Sequence, residues 1–115
     1  TAGHALESWA LSRTPCLHGY AVAWGLICEL YLSCTKTGFP THTMRQTVRY
    51  IQQNYGTLPI TCHDYQELYA YMTHDKKNTA GSINFTLLSN IGDIHINQTA
   101  TQEEIYQMLD FFREG

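Results

Sequence analysis

Charge is scarce in this 115-residue sequence, at 15% of residues, and seven lysines and arginines face ten acids for a net charge of −3. The bases are scattered, which excludes the concentrated positive surface that a nucleic-acid partner demands. Proline is rarer still, at three residues, and collagen-like or low-complexity chains are excluded with it. Long hydrophobic runs are missing too. The longest apolar stretch, around residues 21–32, is interrupted by Glu29 and is too short to span a bilayer, and no signal-peptide pattern opens the chain. These absences predict a cytoplasmic protein. The four cysteines, Cys16, Cys28, Cys34 and Cys62, form no C-x-x-C pair and no zinc-finger spacing, so reduced and mostly buried thiols are expected. Repeats and internal linkers are lacking as well, which predicts one unit across residues 1–115.

What is present points to a packed fold. Hydrophobic residues make up 43% and aromatics 12%, and a chain of this length buries roughly two-thirds of its unfolded surface around one core. Leu6, Trp9 and Ala10 recur at helical spacing within residues 2–12, with Pro15 beyond as a breaker. Residues 20–34 are apolar on nearly every face, the mark of a central helix packed on several sides. After Gly38 and Pro40, Met44, Val48 and Ile51 share one face up to Asn54, where Gly56 and Pro59 end the pattern. Asp64 with Glu67 reads as a capping box for a fourth helix over 65–73. Residues 82–88 and 93–97 alternate as two short strands around a turn at 89–92. Thr101 with Glu104 is a second capping box, leading Ile105, Met108, Leu109 and Phe112 along one helical face. The expected class is mainly α, multihelical, with a short β-hairpin. Trp9, Met44, Tyr106 and Phe111 fall at spacings that belong to the core. The triplets Asn84-Phe85-Thr86 and Asn97-Gln98-Thr99 would accept glycans only in a secreted protein and are set aside.

Two histidines stand out, His4 beside Gly3 and His18 beside Gly19. Glycine removes side-chain bulk, so a neighbouring imidazole at a loop-to-helix junction can come close to a metal or an anion. Zinc needs three or four protein ligands, however, and two histidines do not complete a set. On spacing alone the pair reads as hydrogen-bonded histidines.

The motifs change that balance. Gly3-His4-Ala5-Leu6-Glu7, followed by Leu17-His18-Gly19-Tyr20-Ala21-Val22-Ala23-Trp24-Gly25, resembles the 3-dehydroquinate synthase pattern G-H-A-x-E then L-H-G-E-A-V-x-x-G. Met72-Thr73-His74-Asp75-Lys76-Lys77 and Leu87-Leu88-Ser89-Asn90-Ile91-Gly92 are similar to the same family's M-x-x-D-K-K and L-L-x-x-I-G. The resemblance runs over nearly the whole chain and implies the C-terminal helical domain of a two-domain enzyme, whose N-terminal α/β domain binds NAD. It also implies a piece of a longer polypeptide, in keeping with a first residue, Thr1, that is not Met and already lies in a helical pattern.

The site residues follow from the resemblance position by position. The family holds zinc with an interdomain glutamate, the first histidine of G-H-x-x-G-H and the histidine of L-H-G. His18 matches the last, and the first histidine would fall immediately ahead of Thr1. His4 matches the second histidine of G-H-x-x-G-H, implying proton transfer beside the substrate phosphate. Lys76, and after it Lys77, matches the lysine implied to meet the substrate's anionic groups, with Asp75 orienting Lys76; without the motif the two lysines would simply complement a helix C-terminus. Glu7 either orients a neighbouring histidine or faces solvent, and the sequence leaves both open.

One departure stands beside these matches: Tyr20 occupies the position where the family carries glutamate after H-G, placing a phenol beside the expected ligand. The implied reaction converts 3-deoxy-D-arabino-heptulosonate 7-phosphate to 3-dehydroquinate with loss of phosphate, using NAD and zinc, in a full-length enzyme expected to be a homodimer without nucleic-acid or membrane partners. A related sugar phosphate cyclase is the alternative substrate reading. The alternative of another class is a non-catalytic helical module, and the 115 residues alone are expected to be inactive. Iron-dependent alcohol dehydrogenases share the two-domain plan, but the D-K-K and L-L-x-x-I-G matches speak against them.

Overall fold

A computed structural model describes residues 2–11, 13, 17–73, 83–90 and 92–114. Five helices and one antiparallel hairpin follow in the order α1 (Ala2–Leu11), α2 (His18–Lys36), α3 (Thr41–Tyr55), α4 (Tyr65–Thr73), β1 (Ile83–Asn90), β2 (Asp93–Ala100) and α5 (Gln102–Glu114), with a 3-10 turn at Cys62–Asp64 ahead of α4. The mainly α class and the hairpin agree with the periodicity.

Helix α2 is the hub, packing against α1, α3, α5 and β1. Its buried set, Ala21, Trp24, Gly25, Ile27, Cys28, Leu30, Leu32 and Ser33, wraps much of the helix circumference. The expected packing on several sides holds, while Val22 and Leu26 remain exposed because no element among the described residues covers them. Leu6 from α1, Leu68 and Met72 from α4, Leu87 from β1, and Ile105, Met108 and Leu109 from α5 complete a core of fully buried side chains. Trp9 and Met44 belong to that core, and Tyr106 and Phe111 pack half-buried against it.

Local chemistry sets the ends of the elements. Pro40 precedes the first turn of α3, where a missing N–H costs nothing, and Gly56 ends that helix at φ +71°, a conformation that strains any residue with a Cβ. Thr101 and Glu104 form the expected capping box on α5: Thr101 N–H donates to Glu104 Oε1 at 2.9 Å, and Glu104 N–H donates to Thr101 Oγ1 at 3.2 Å. The other box differs. Thr61 and Asp64 cap the 3-10 turn, with Thr61 N–H donating to Asp64 Oδ2 at 2.8 Å, whereas Glu67 is drawn off by Arg13. Burial pushes the Asp64 carboxyl up, but the Thr61 hydrogen bonds and the Arg13 charge outweigh it and hold that group below the usual carboxylate range.

The strands run longer than alternation suggests, to Asn90 and Ala100, because two register shifts let pairing continue from Ile83↔Ala100 to Asn90↔Asp93. Gly92 at φ +81° makes the tight connection between them. The thiols are less uniform than expected. Cys28 is buried, and that burial pushes its thiol far above the ordinary range. Cys34 is half-buried, Cys62 is exposed on the 3-10 turn, and Cys16 lies outside the described residues.

Candidate metal and proton-transfer site

Residues four apart on a helix share a face, and so do residues three apart, so α1 presents His4 and Glu7 on one side. That side meets the beginning of α2. The meeting depends on two glycines: a Cβ built on Gly25 would lie 2.6 Å from Gly3 N and 2.7 Å from Gly3 Cα, and one on Gly3 would lie 3.2 Å from the Ala21 carbonyl oxygen. Backbone therefore touches backbone where α1 crosses α2. Gly3 serves the helix crossing, while Gly19 has open space around it.

From that crossing the helices run in opposite directions, bringing Glu7 to His18. His18 is the first residue of α2, two residues earlier than apolar periodicity places the helix start; Leu17 stands before it in extended conformation, and the Tyr20 N–H donates to the Leu17 carbonyl at 3.0 Å. Both Glu7 carboxylate oxygens lie 3.2 Å from His18 Nδ1. The His4 and His18 rings are 6.4 Å apart between centroids and tilted by 32°. Two imidazoles and a carboxylate thus share one accessible edge, with the His18 side chain 65% exposed and Glu7 26% exposed.

A second arrangement anchors α1 behind the site. The Arg13 guanidinium donates to the Trp9 carbonyl at 2.8 Å and to the two Glu67 oxygens at 3.0 and 3.3 Å, while sitting 4.5 Å above the Trp9 ring. Glu67, held by Arg13 and by the Tyr71 hydroxyl, is kept below the usual carboxylate range. This ties the end of α1 to α4.

The donor set fits a divalent metal at one position. A carboxylate on one imidazole nitrogen is the arrangement that aims the other nitrogen at a metal, and the exposed edge leaves room for ligands from elsewhere. Among the described residues no three His, Cys, Asp or Glu side chains gather to hold an ion, so His18 would act with ligands beyond them. Lys76 and Lys77, with Asp75, lie outside the described residues; α4 is described as far as Thr73.

Tyr20 is not beside the His18 ring as chain proximity suggests. Residues two apart on a helix project about 200° apart, and the Tyr20 ring packs edge-on against Trp24 at 5.9 Å and Tyr55 at 5.1 Å. Trp24 in turn donates its indole N–H to the Gly56 carbonyl at 3.1 Å. The phenol therefore joins the α2–α3 packing. Sequence reasoning missed the Gly3–Gly25 contact as well, since only the G-H and A-V-x-x-G strings hint that both helices need a position without a side chain.

Residues 1–78 match the family described as 3-dehydroquinate synthase C-terminal. A 3-dehydroquinate synthase of Parabacteroides distasonis is 54% identical over 116 residues, covering 100% of this chain and 33% of that protein. One from Staphylococcus aureus strain Newman is 32% identical over 117 residues, covering 98% of this chain and 32% of that protein. The chain thus spans about a third of the length of these curated relatives. A crystal structure of 2-deoxy-scyllo-inosose synthase complexed with carbaglucose-6-phosphate, NAD+ and Co2+ superposes with a TM-score of 0.74 at 21% identity, over 99% of this chain and 33% of that one, which establishes the likeness of fold. On the match across residues 1–78, this chain belongs to the 3-dehydroquinate synthase C-terminal family.

Proposed function

We propose that this chain is the C-terminal helical domain of a two-domain, cytoplasmic, homodimeric enzyme that converts 3-deoxy-D-arabino-heptulosonate 7-phosphate to 3-dehydroquinate and phosphate. The observation that carries the reading is the meeting of His4, Glu7 and His18 across the glycine crossing of α1 and α2. Its relatives named 3-dehydroquinate synthase support the substrate assignment, and the NAD+ and Co2+ bound in the structural neighbour support the cofactor class.

When bound, zinc would supply polarisation of the reacting hydroxyl and carbonyl oxygens, and NAD, held by the N-terminal domain, would supply hydride-transfer chemistry. His18 contributes the Nε2 ligand. His4, whose ring nitrogens can take up and give back a proton, moves a proton beside the departing phosphate. Lys76 and Lys77 hold the substrate's anionic groups as ammonium point charges. Tyr20 stays out of the chemistry, since its ring is committed to Trp24 and Tyr55.

The test is phosphate release by the full-length protein supplied with the heptulosonate phosphate, NAD and zinc, with the product identified by mass and NMR. His18→Ala is expected to lose zinc and turnover together. His4→Gln is expected to keep zinc and to lose about 10²- to 10⁴-fold in kcat, the usual contribution of a general acid or base. Absence of 3-dehydroquinate from a protein carrying both zinc and NAD would sink the assignment and leave another sugar phosphate cyclase.

A further inference from the structure

We infer that Glu7 is the positioning residue for His18, fixing which ring nitrogen is protonated and where the other one points. The inference rests on the reading of His18 as a metal ligand. A neutral imidazole has one donor and one acceptor nitrogen, and an ionised carboxylate can only accept. With both Glu7 oxygens 3.2 Å from Nδ1, the hydrogen belongs on Nδ1, and the lone pair stands on Nε2, where a metal can take it.

The surroundings favour a fixed Glu7 acting on a looser His18. Glu7 is half-buried in the middle of α1, a helix locked to α2 by the Gly3–Gly25 contact and to α4 by Arg13. His18 is the first residue of α2, mostly exposed, with a preceding residue that provides no side-chain cap. A side chain in that position samples several rotamers unless something holds it, and Glu7 lies within hydrogen-bond distance of it. One face of α1 then carries two functions one turn apart, His4 for the proton and Glu7 for the aim of the metal ligand. An ordinary exposed ion pair would have no such consequence for metal binding.

The experiment uses the full-length protein, reading zinc affinity by competition with a chromophoric chelator and the His18 tautomer in the metal-free state by long-range 15N–1H NMR. Glu7→Ala is expected to weaken zinc binding about 10- to 100-fold, the usual effect of removing a carboxylate that orients a ligand, and to deplete the Nδ1–H tautomer. Glu7→Gln, which has nearly the same shape and keeps an oxygen acceptor, is expected to recover part of both. Zinc affinity within about twofold of wild type in Glu7→Ala, with the tautomer unchanged, would overturn the role of Glu7. His18→Ala separates that failure from a failure of the ligand reading. Zinc lost in His18→Ala but kept in Glu7→Ala removes only the Glu7 role, whereas zinc kept in His18→Ala removes both.

Discussion

The two ends of α2 handle polar groups in opposite ways. At the N-terminal end, His18 meets Glu7 and His4 at an edge open to solvent, and backbone packs on backbone just behind it. At the C-terminal end, Ser33 is 1% exposed. Its hydroxyl donates to the Glu29 carbonyl at 2.8 Å and accepts the Leu88 N–H at 3.0 Å, docking β1 on the helix. Thr37 adds a hydroxyl between the Ser33 and Leu88 carbonyls, and Lys36 reaches Glu104 at the head of α5 at 2.7 Å. One helix therefore presents polar groups to solvent at one end and buries them in hydrogen bonds to a strand at the other. Perturbing each end separates metal binding from stability.

The largest effect is expected at Gly25. Replacing a helical glycine by alanine normally gains up to about 1 kcal/mol of helix propensity. Here the new methyl would press on the Gly3 backbone, which cannot turn aside as a side chain does. Overpacking of this kind costs about 1–3 kcal/mol, so Gly25→Ala is expected to lower the urea midpoint and, by spreading α1 from α2, to weaken zinc binding as well. Gly19→Ala, with nothing within 4 Å, should instead be neutral or slightly stabilising. Equal stability of Gly25→Ala and wild type would mean that α1 is free to slide on α2, and the crossing could not then be what places Glu7.

Next comes Ser33→Ala. The substitution leaves the Leu88 N–H without its acceptor and removes one of the ties between β1 and α2, leaving the Thr37 hydroxyl on the Leu88 carbonyl. A buried donor deprived of its partner costs about 1–3 kcal/mol. The expected outcome is a lower midpoint and faster hydrogen exchange at the Leu88 amide, with zinc affinity unchanged. A parallel loss of zinc affinity would show that the two ends of the helix are coupled, and the contrast between them would fail.

How far the sequence foretells this molecule depends on the range of the forces involved. Apolar periodicity locates α1, α3 and α5, and the Thr101–Glu104 box marks the start of α5, because these signals lie within a few residues of one another. His4 and His18 are legible from motif, and so is the hairpin from alternation. The Glu67 error has a long-range cause: its carboxylate is taken by Arg13, 54 residues away, so Asp64 turns back to cap Thr61. The Gly3–Gly25 contact and the Trp24–Tyr55 cradle for Tyr20 are likewise tertiary, and apolar periodicity encodes neither. Only the crossing of two helices decides which of the two readings of Glu7 holds.

The smallest effect, and the one that adds pH to the comparison, belongs to Lys36. Its ammonium is the first cause that holds Glu104 below the usual carboxylate range, with the Thr101 N–H second. A carboxyl whose pKa is depressed by folding stabilises the fold above its unfolded value, about 4.3 for glutamate, and loses that contribution as pH falls through the folded value. Lys36→Met is therefore expected to unfold more easily than wild type at neutral pH and equally easily once Glu104 is protonated in both. Both side chains are partly exposed, 24% for Lys36 and 33% for Glu104, so solvent screening keeps the neutral-pH difference to at most about 1 kcal/mol. Added salt should shrink it further, since the pair is reached by counterions. Urea midpoints from pH 7 down to pH 3 at low and high salt check the point. A difference that persists undiminished in acid would assign the role of Lys36 to the packing of its methylenes rather than to its charge, and would move this contact from the electrostatic to the apolar side of the α2–α5 junction.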